Sequence, residues 1–117
     1  MSYQPGTHII ASLQASAPDL LLLHHGFREK INQLIETYQL QKLGEVYHDF
    51  SPAGFTAVIC LSESHISIHT WPEHGLINLD IYLSNFQRNN DGTTENIYRS
   101  LQAYFGATVS KQQILTR

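Results

Sequence analysis

Residues 61 to 75 read Leu-Ser-Glu-Ser-His-Ile-Ser-Ile-His-Thr-Trp-Pro-Glu-His-Gly, a concentration of hydroxyls, imidazoles and carboxylates where a strand would ordinarily bury apolar side chains. Ile66 and Ile68 alternate with Ser67 and His69 at the period of a half-buried strand, and Trp71-Pro72-Glu73-His74-Gly75 closes it as a turn. The strand therefore presents one wet face carrying His65, Ser67 and His69, with Ser64 at its start. His65 and His69 stand four apart, as in helical zinc motifs. On a strand rising ~3.3 Å per residue the two imidazoles lie roughly 13 Å apart and cannot share an ion, so no metal site is expected. A hydroxyl nucleophile fits better: Ser64, flanked by Glu63 and close in sequence to two histidines, can attack an acyl carbon once a base takes its proton. The competing reading has these side chains merely satisfying one another on a solvated sheet face. For an isolated serine or histidine that would prevail; so dense a cluster beside a Trp-Pro turn shifts the balance toward a site.

The stretch from Ser62 to Gly75 resembles the self-processing motif of the short prokaryotic S-adenosylmethionine decarboxylases, which make a pyruvoyl cofactor from an internal serine. The resemblance extends outward. Gly6 and His8 resemble the family's opening Gly-x-His strand, Phe50-Ser51-Pro52-Ala53-Gly54 its Phe-x-Pro-x-Gly loop, and Asp80 falls where the family has an aspartate. Residues 6 to about 109 can be laid along the family without large gaps, although only 61 to 75 are diagnostic.

What the resemblance implies is specific. Ser64 Oγ attacks the Glu63 carbonyl, the amide becomes an ester, β-elimination releases a chain of residues 1–63 (β), and hydrolysis leaves a pyruvoyl group heading residues 64–117 (α). That covalent cofactor, derived from Ser64, then acts as the electron sink for decarboxylation. By the same resemblance His69 is the base for breakdown of the ester, and Thr56 stands where the family holds the scissile carbonyl with a serine hydroxyl. Phe50 would stack on adenine, Glu73 bind the ribose hydroxyls and Ile66 line the pocket. The implied product is decarboxylated S-adenosylmethionine for spermidine synthesis, made by a homodimer with sites at the subunit boundary.

The chain departs from the family in two places. Tyr-Gly-Tyr-Ala-Ala is replaced by His74-Gly75-Leu76-Ile77-Asn78, and Thr-Cys-Gly by Leu83-Ser84-Asn85. The expected proton donor is therefore Ser84, a far weaker acid than a thiol of pKa ~8.5. Relatives of the same fold and chemistry act on ornithine or arginine, which would need an acidic partner such as Glu73, Asp80 or Asp49. Those substrates, a non-catalytic partner subunit and a nucleoside-binding module stay open as alternatives.

The elements that must position these residues follow from periodicity. Residues 8 to 13 read as a first strand, with His8 a polar residue at its start. Asp19 can cap a helix whose apolar positions Leu20, Leu23, Phe27, Ile31, Leu34, Ile35 and Tyr38 recur at helical spacing, weakened at Gly26; His24 and His25 read as a surface pair. Strands are expected over Leu43–Phe50, Phe55–Leu61 (apolar throughout, hence central), the Ser64 segment, Leu76–Leu83 and Thr108–Leu115. Leu76–Leu83 should pair antiparallel with the Ser64 strand. Thr93 is the expected cap of a second helix with Ile97, Leu101, Tyr104 and Phe105 inward, ending at Gly106. The predicted fold is α+β: a single domain over 1–117, a two-layer sandwich of a mostly antiparallel sheet with two helices on one face. Its other face is then left for a large ligand or a second copy.

The chain has 117 residues, a net charge of −3 and 15% charged residues. With no basic cluster, neither nucleic acid nor an anionic membrane is an expected partner; a small-molecule substrate is. The single Cys60 excludes an intrachain disulfide, fits a cytoplasmic setting and reads as a small core residue.

Overall fold

In a computed structural model, residues 3–86 and 88–117 are described. Six strands, β1 (Thr7–Ala15), β2 (Lys42–Asp49), β3 (Phe55–Leu61), β4 (Ser64–Trp71), β5 (Leu76–Leu83) and β6 (Ala107–Thr116), form one sheet with two helices, α1 (His25–Thr37) and α2 (Asp91–Phe105). The sheet order is β2-β3-β4-β5-β1-β6, and every neighbouring pair is antiparallel. Both helices pack on one face: the Phe27 ring of α1 meets Phe55 of β3 at 5.7 Å and Phe105 of α2 at 6.4 Å between centroids. The expected α+β sandwich is the observed architecture.

The period of two decides which side chains face the helices. In β5, Ile77, Leu79, Ile81 and Leu83 are buried while Asn78, Asp80 and Tyr82 point to the open face. In β4, Ile66, Ile68 and Thr70 are buried against Ser67, His69 and Trp71 outside. Burying each large aliphatic or aromatic side chain contributes about 1.5–3 kcal/mol, so a one-residue slip, which would exchange the two faces, is strongly opposed. Gly75 permits the turn between β4 and β5. Its φ of +59° favours glycine, and a Cβ there would meet the Ala15 carbonyl oxygen at 2.7 Å, a clearance only glycine allows.

Four expectations are corrected. The helix capped by Asp19 is instead a 3-10 turn over Pro18–Leu21 followed by α1 from His25. The chain is captured between them because Gly54 N–H donates to the Leu22 carbonyl and His24 N–H to the Asp49 carboxylate. Leu20 and Leu23 consequently face out rather than into the core. His24 is no free surface residue, since its ring stacks on Tyr47 and its Nδ1 lies 3.0 Å from Asp49. β3 is internal, one strand in from the edge, yet it alternates like its neighbours, so Val58 and Cys60 are exposed on the open face. Finally α2 begins at Asp91 after Asn90, not at a Thr93 cap, because Asn90 and its amide are fixed by tertiary bonds described below.

Candidate active site

The two-residue turn Ser62-Glu63 joins β3 to β4, with Leu61 paired to Ser64. Ser64 adopts φ +137°, a region that only glycine enters freely and that costs a side-chain-bearing residue about 1–3 kcal/mol. The preceding peptide is held from both sides. The Ser84 main-chain N–H donates to the Glu63 carbonyl oxygen at 2.8 Å. The Glu63 side chain, only 8% exposed, accepts from Arg88 Nε at 3.2 Å and Asn90 Nδ2 at 2.6 Å. Asn90, 1% exposed, also donates to the Ser84 carbonyl at 2.8 Å. Ser64 is thus a strained residue whose upstream carbonyl already has a hydrogen-bond donor aimed at it, the arrangement that stabilises an oxyanion if that carbon is attacked. Neither Arg88 nor Asn90 was signalled by the sequence, because a polar loop 25–27 residues away from Glu63 carries no local mark of what it will reach.

The other expected residues gather at the far end of β4. Thr56 pairs with His69 across β3 and β4, and Thr56 Oγ1 is hydrogen-bonded to His69 Nδ1. They open onto a cavity of about 780 Å³ whose walls include Phe50, Phe55, Trp71 and Glu73. Phe50 and Trp71 are half-exposed there, large aromatic surfaces presented to a ligand or a partner. The floor is fixed: buried Thr70 Oγ1 accepts from Phe55 N–H and donates to the Leu21 carbonyl, each at 2.8 Å. Ile66 is a correction. It is fully buried on the helix side of β4, one residue out of phase with the wet face, and cannot line a pocket on the opposite side.

A single chain therefore unites Ser64, Glu63 and Ser84 at one end of β4, and Thr56, His69, Phe50 and Glu73 at the other. Five residues of strand, about 16 Å, separate Ser64 from His69.

Between the two ends, on the open face, lies a row of polar side chains. His8 Nε2 is 2.6 Å from Asp80 Oδ1, His65 Nε2 is 3.3 Å from the same oxygen, and His65 Nδ1 is 3.4 Å from Ser64 Oγ. Arg117 Nη1 lies 3.1 Å from His8 Nδ1. The Tyr82 ring packs beside both imidazoles, 5.1 Å from His8 and 6.1 Å from His65, which themselves meet edge-on at 6.1 Å, and burial raises its phenol above the ordinary range. Ligand atoms of His8, His65 and Asp80 lie within 4.8 Å of one another, close enough for a cation, but the guanidinium against His8 opposes one. Of the carboxylates considered as partners for a basic substrate, Asp80 is engaged by two histidines and Asp49 by His24. Burial alone would raise Asp49, but the His24 side-chain and main-chain hydrogen bonds hold it below its ordinary value.

Comparison with known proteins fits this geometry. The family model described as S-adenosylmethionine decarboxylase matches residues 7–117. A protein of Archaeoglobus fulgidus named S-adenosylmethionine decarboxylase proenzyme is 43% identical over 77 residues, 66% of this chain and 69% of that protein. One of the same name from Picrophilus torridus is 34% identical over 102 residues, 87% of this chain and 78% of its own. For the Aquifex aeolicus proenzyme the aligned part is 57% of its length, so the matched region is little more than half of some relatives. The crystal structure of the adenosylmethionine decarboxylase from Aquifex aeolicus superposes with a TM-score of 0.79 at 28% identity, covering 99% of this chain and 91% of that one. With the family model spanning both ends of β4 and the open face between them, the chain belongs to the S-adenosylmethionine decarboxylase family.

Proposed function

We propose that this protein cleaves itself between Glu63 and Ser64 and then decarboxylates S-adenosylmethionine, supplying the aminopropyl donor for spermidine synthesis. The observation that carries the reading is the Glu63-Ser64 peptide itself: a serine at φ +137° whose upstream carbonyl accepts the Ser84 N–H at 2.8 Å. Attack by Ser64 Oγ moves the acyl group from nitrogen to oxygen and relieves that backbone strain. Loss of the Ser64 α-proton with departure of the Glu63 carboxylate, followed by hydrolysis, leaves residues 64–117 headed by a pyruvoyl group. That group supplies an electrophilic carbonyl that captures the substrate amine and accepts the electron pair released with carbon dioxide.

The residues of the cavity suit an adenosyl substrate. Phe50 and Trp71 offer flat apolar faces for the base, and Glu73, which makes no ion pair among the described residues, offers a carboxylate for a diol. Of the carboxylates a basic amino acid could use, Asp49 and Asp80 are already engaged, which leaves Glu73 alone for ornithine or arginine.

The site is completed by a second copy. With His69 about 16 Å from Ser64 along one strand, a two-fold axis near Ser67 that stacks two open sheet faces would lay the Ser64 end of one protomer on the His69 end of the other. Exposed Val46 and Val58, paired across β2 and β3, and exposed Ile10 and Leu115 provide apolar surface for that contact. Such an isologous contact is self-complementary and makes two equal sites. Co-expression of Ser64→Ala with His69→Ala tests both ideas at once. Each variant alone stays uncleaved or stalls, whereas mixed dimers cleave the His69→Ala chain, whose Ser64 meets the partner's intact histidine. No cleavage in the mixture would refute the shared site, and intact wild-type chains of 117 residues after long incubation would refute self-cleavage.

A further inference from the structure

We infer that His65 is the base that takes the proton from Ser64 Oγ in the first step of self-cleavage, and that Asp80, His8 and Arg117 hold it in the required tautomer; this rests on the self-processing reading above. The direction of each hydrogen bond follows from the group at the end of the row. A guanidinium can only donate. Arg117 Nη1, 3.1 Å from His8 Nδ1, therefore makes that nitrogen an acceptor and puts the proton of the neutral ring on Nε2. His8 Nε2–H then donates to Asp80 Oδ1 at 2.6 Å. The same oxygen accepts from His65 Nε2 at 3.3 Å, so His65 keeps its proton there and presents a lone pair from Nδ1. That lone pair faces Ser64 Oγ at 3.4 Å, a separation of the kind that tightens when an acyl carbon is attacked.

The row is built into the sheet. His8, Tyr82 and His65 are register partners across β1, β5 and β4. Arg117 lies over the Tyr82 ring at 5.1 Å, so the aromatic ring that packs against both imidazoles also seats the guanidinium. The main chain of Arg117 is tied to Gly6 by two hydrogen bonds of 2.7 and 2.9 Å, which fixes the origin of the side chain. His69, expected to act on the ester, cannot perform this step within the same chain because it lies at the other end of β4.

The step balances as an isomerisation. The Ser64 Oγ–H bond breaks and its proton goes to His65 Nδ1; Oγ bonds to the Glu63 carbonyl carbon, whose π pair moves to the oxygen held by Ser84 N–H. Collapse breaks the bond to the Ser64 nitrogen, which recovers the proton from His65. His65 and His69 thus serve successive steps, the first making the ester and the second discharging it.

Cell-free synthesis followed over time, with and without hydroxylamine, separates the steps, because hydroxylamine cleaves an ester and leaves Glu63 as its hydroxamate. His69→Ala should reach the hydroxylamine-sensitive state at the wild-type rate. His65→Gln should slow its appearance by roughly 100-fold or more, the usual range for loss of a general base. Arg117→Met should slow it by about tenfold, and Arg117→Lys, which keeps a donor, should restore it. Ester formation at the wild-type rate in His65→Gln overturns the inference, whereas a wild-type chain that never cleaves overturns the parent reading instead. Should His65→Gln lack a cooperative melting transition, the Arg117 pair decides: equal rates for methionine and lysine overturn the relay.

Discussion

The main-chain N–H of Ser84 donates to the Glu63 carbonyl oxygen across 2.8 Å, so the side chain of Ser84 has no part in holding the bond that is proposed to break. Processing and turnover are therefore separable at this residue. Ser84→Ala should cleave at close to the wild-type rate in an intact-mass time course, and a large loss would show that the hydroxyl, not the amide, is the donor. Ser84→Cys should leave cleavage unchanged and raise turnover of S-adenosylmethionine, since a thiol gives up its proton far more readily near neutrality. Turnover of ornithine or arginine by the wild type, with none of S-adenosylmethionine, would reverse the substrate assignment.

Backbone strain at Ser64 has its own signature. Ser64→Gly and Ser64→Ala both lack the nucleophile, so neither is expected to split and their unfolding can be compared directly. At φ +137° glycine is relaxed and alanine is not, and denaturant titration should place the glycine variant about 1 kcal/mol above the alanine variant. The reverse order would mean that residue 64 is relaxed in the folded chain.

Asn90 ties Glu63 to Ser84 through a single amide nitrogen, reaching Glu63 at 2.6 Å and Ser84 at 2.8 Å. Asn90→Ala leaves a buried carboxylate short of a donor and a carbonyl unpaired, which should lower stability by about 2–3 kcal/mol and slow cleavage by loosening the Ser84 N–H. A variant with wild-type melting and a wild-type cleavage rate would remove Asn90 from the site.

Asp91 accepts from Thr7 Oγ1 at 2.8 Å and Asn85 Nδ2 at 3.1 Å, and those bonds, Thr7 first, hold its carboxyl below the usual range. A depressed carboxylate contributes stability above its unfolded pKa, and that contribution is lost as pH falls through the folded value. Asp91→Asn should therefore melt lower than wild type at pH 7 and converge with it on the acid side. Parallel curves throughout the acid limb would assign the bond no pH-dependent share.

The strands around the site were legible because local pattern and tertiary environment agree there. Residues 76–83 alternate without a fault, Pro72 and Gly75 mark the turn, and the observed β5 has the expected bounds. The first helix failed for the opposite reason. Leu20, Leu23 and Phe27 keep helical spacing, yet contacts from Gly54 and Asp49 seize the chain between residues 22 and 24, and no local preference encodes partners so far along the chain. Cys60 was misread because an apolar run does not say which alternate residues turn outward. At the site, types and spacing nominated Ser64 with His65 and His69, and the family resemblance added Ser84. The distance between the ends of β4, and the reach of Arg88, Asn90 and Arg117 to their partners, required the fold.

The order of strands carries a consequence for the molecularity of refolding. A cut after Glu63 would leave β1, β2 and β3 on one fragment and β4, β5 and β6 on the other. In the sheet these alternate as β2-β3, then β4-β5, then β1, then β6, so three seams join one fragment to the other and β1 is gripped on both edges by strands of its counterpart. The fragments cannot part without unzipping the sheet. Once parted they must find each other by diffusion, whereas the uncut chain refolds as a first-order process. Cleavage would thus turn a reversible folding equilibrium into a concentration-dependent association, leaving the mature protein durable while folded and slow to recover at high dilution.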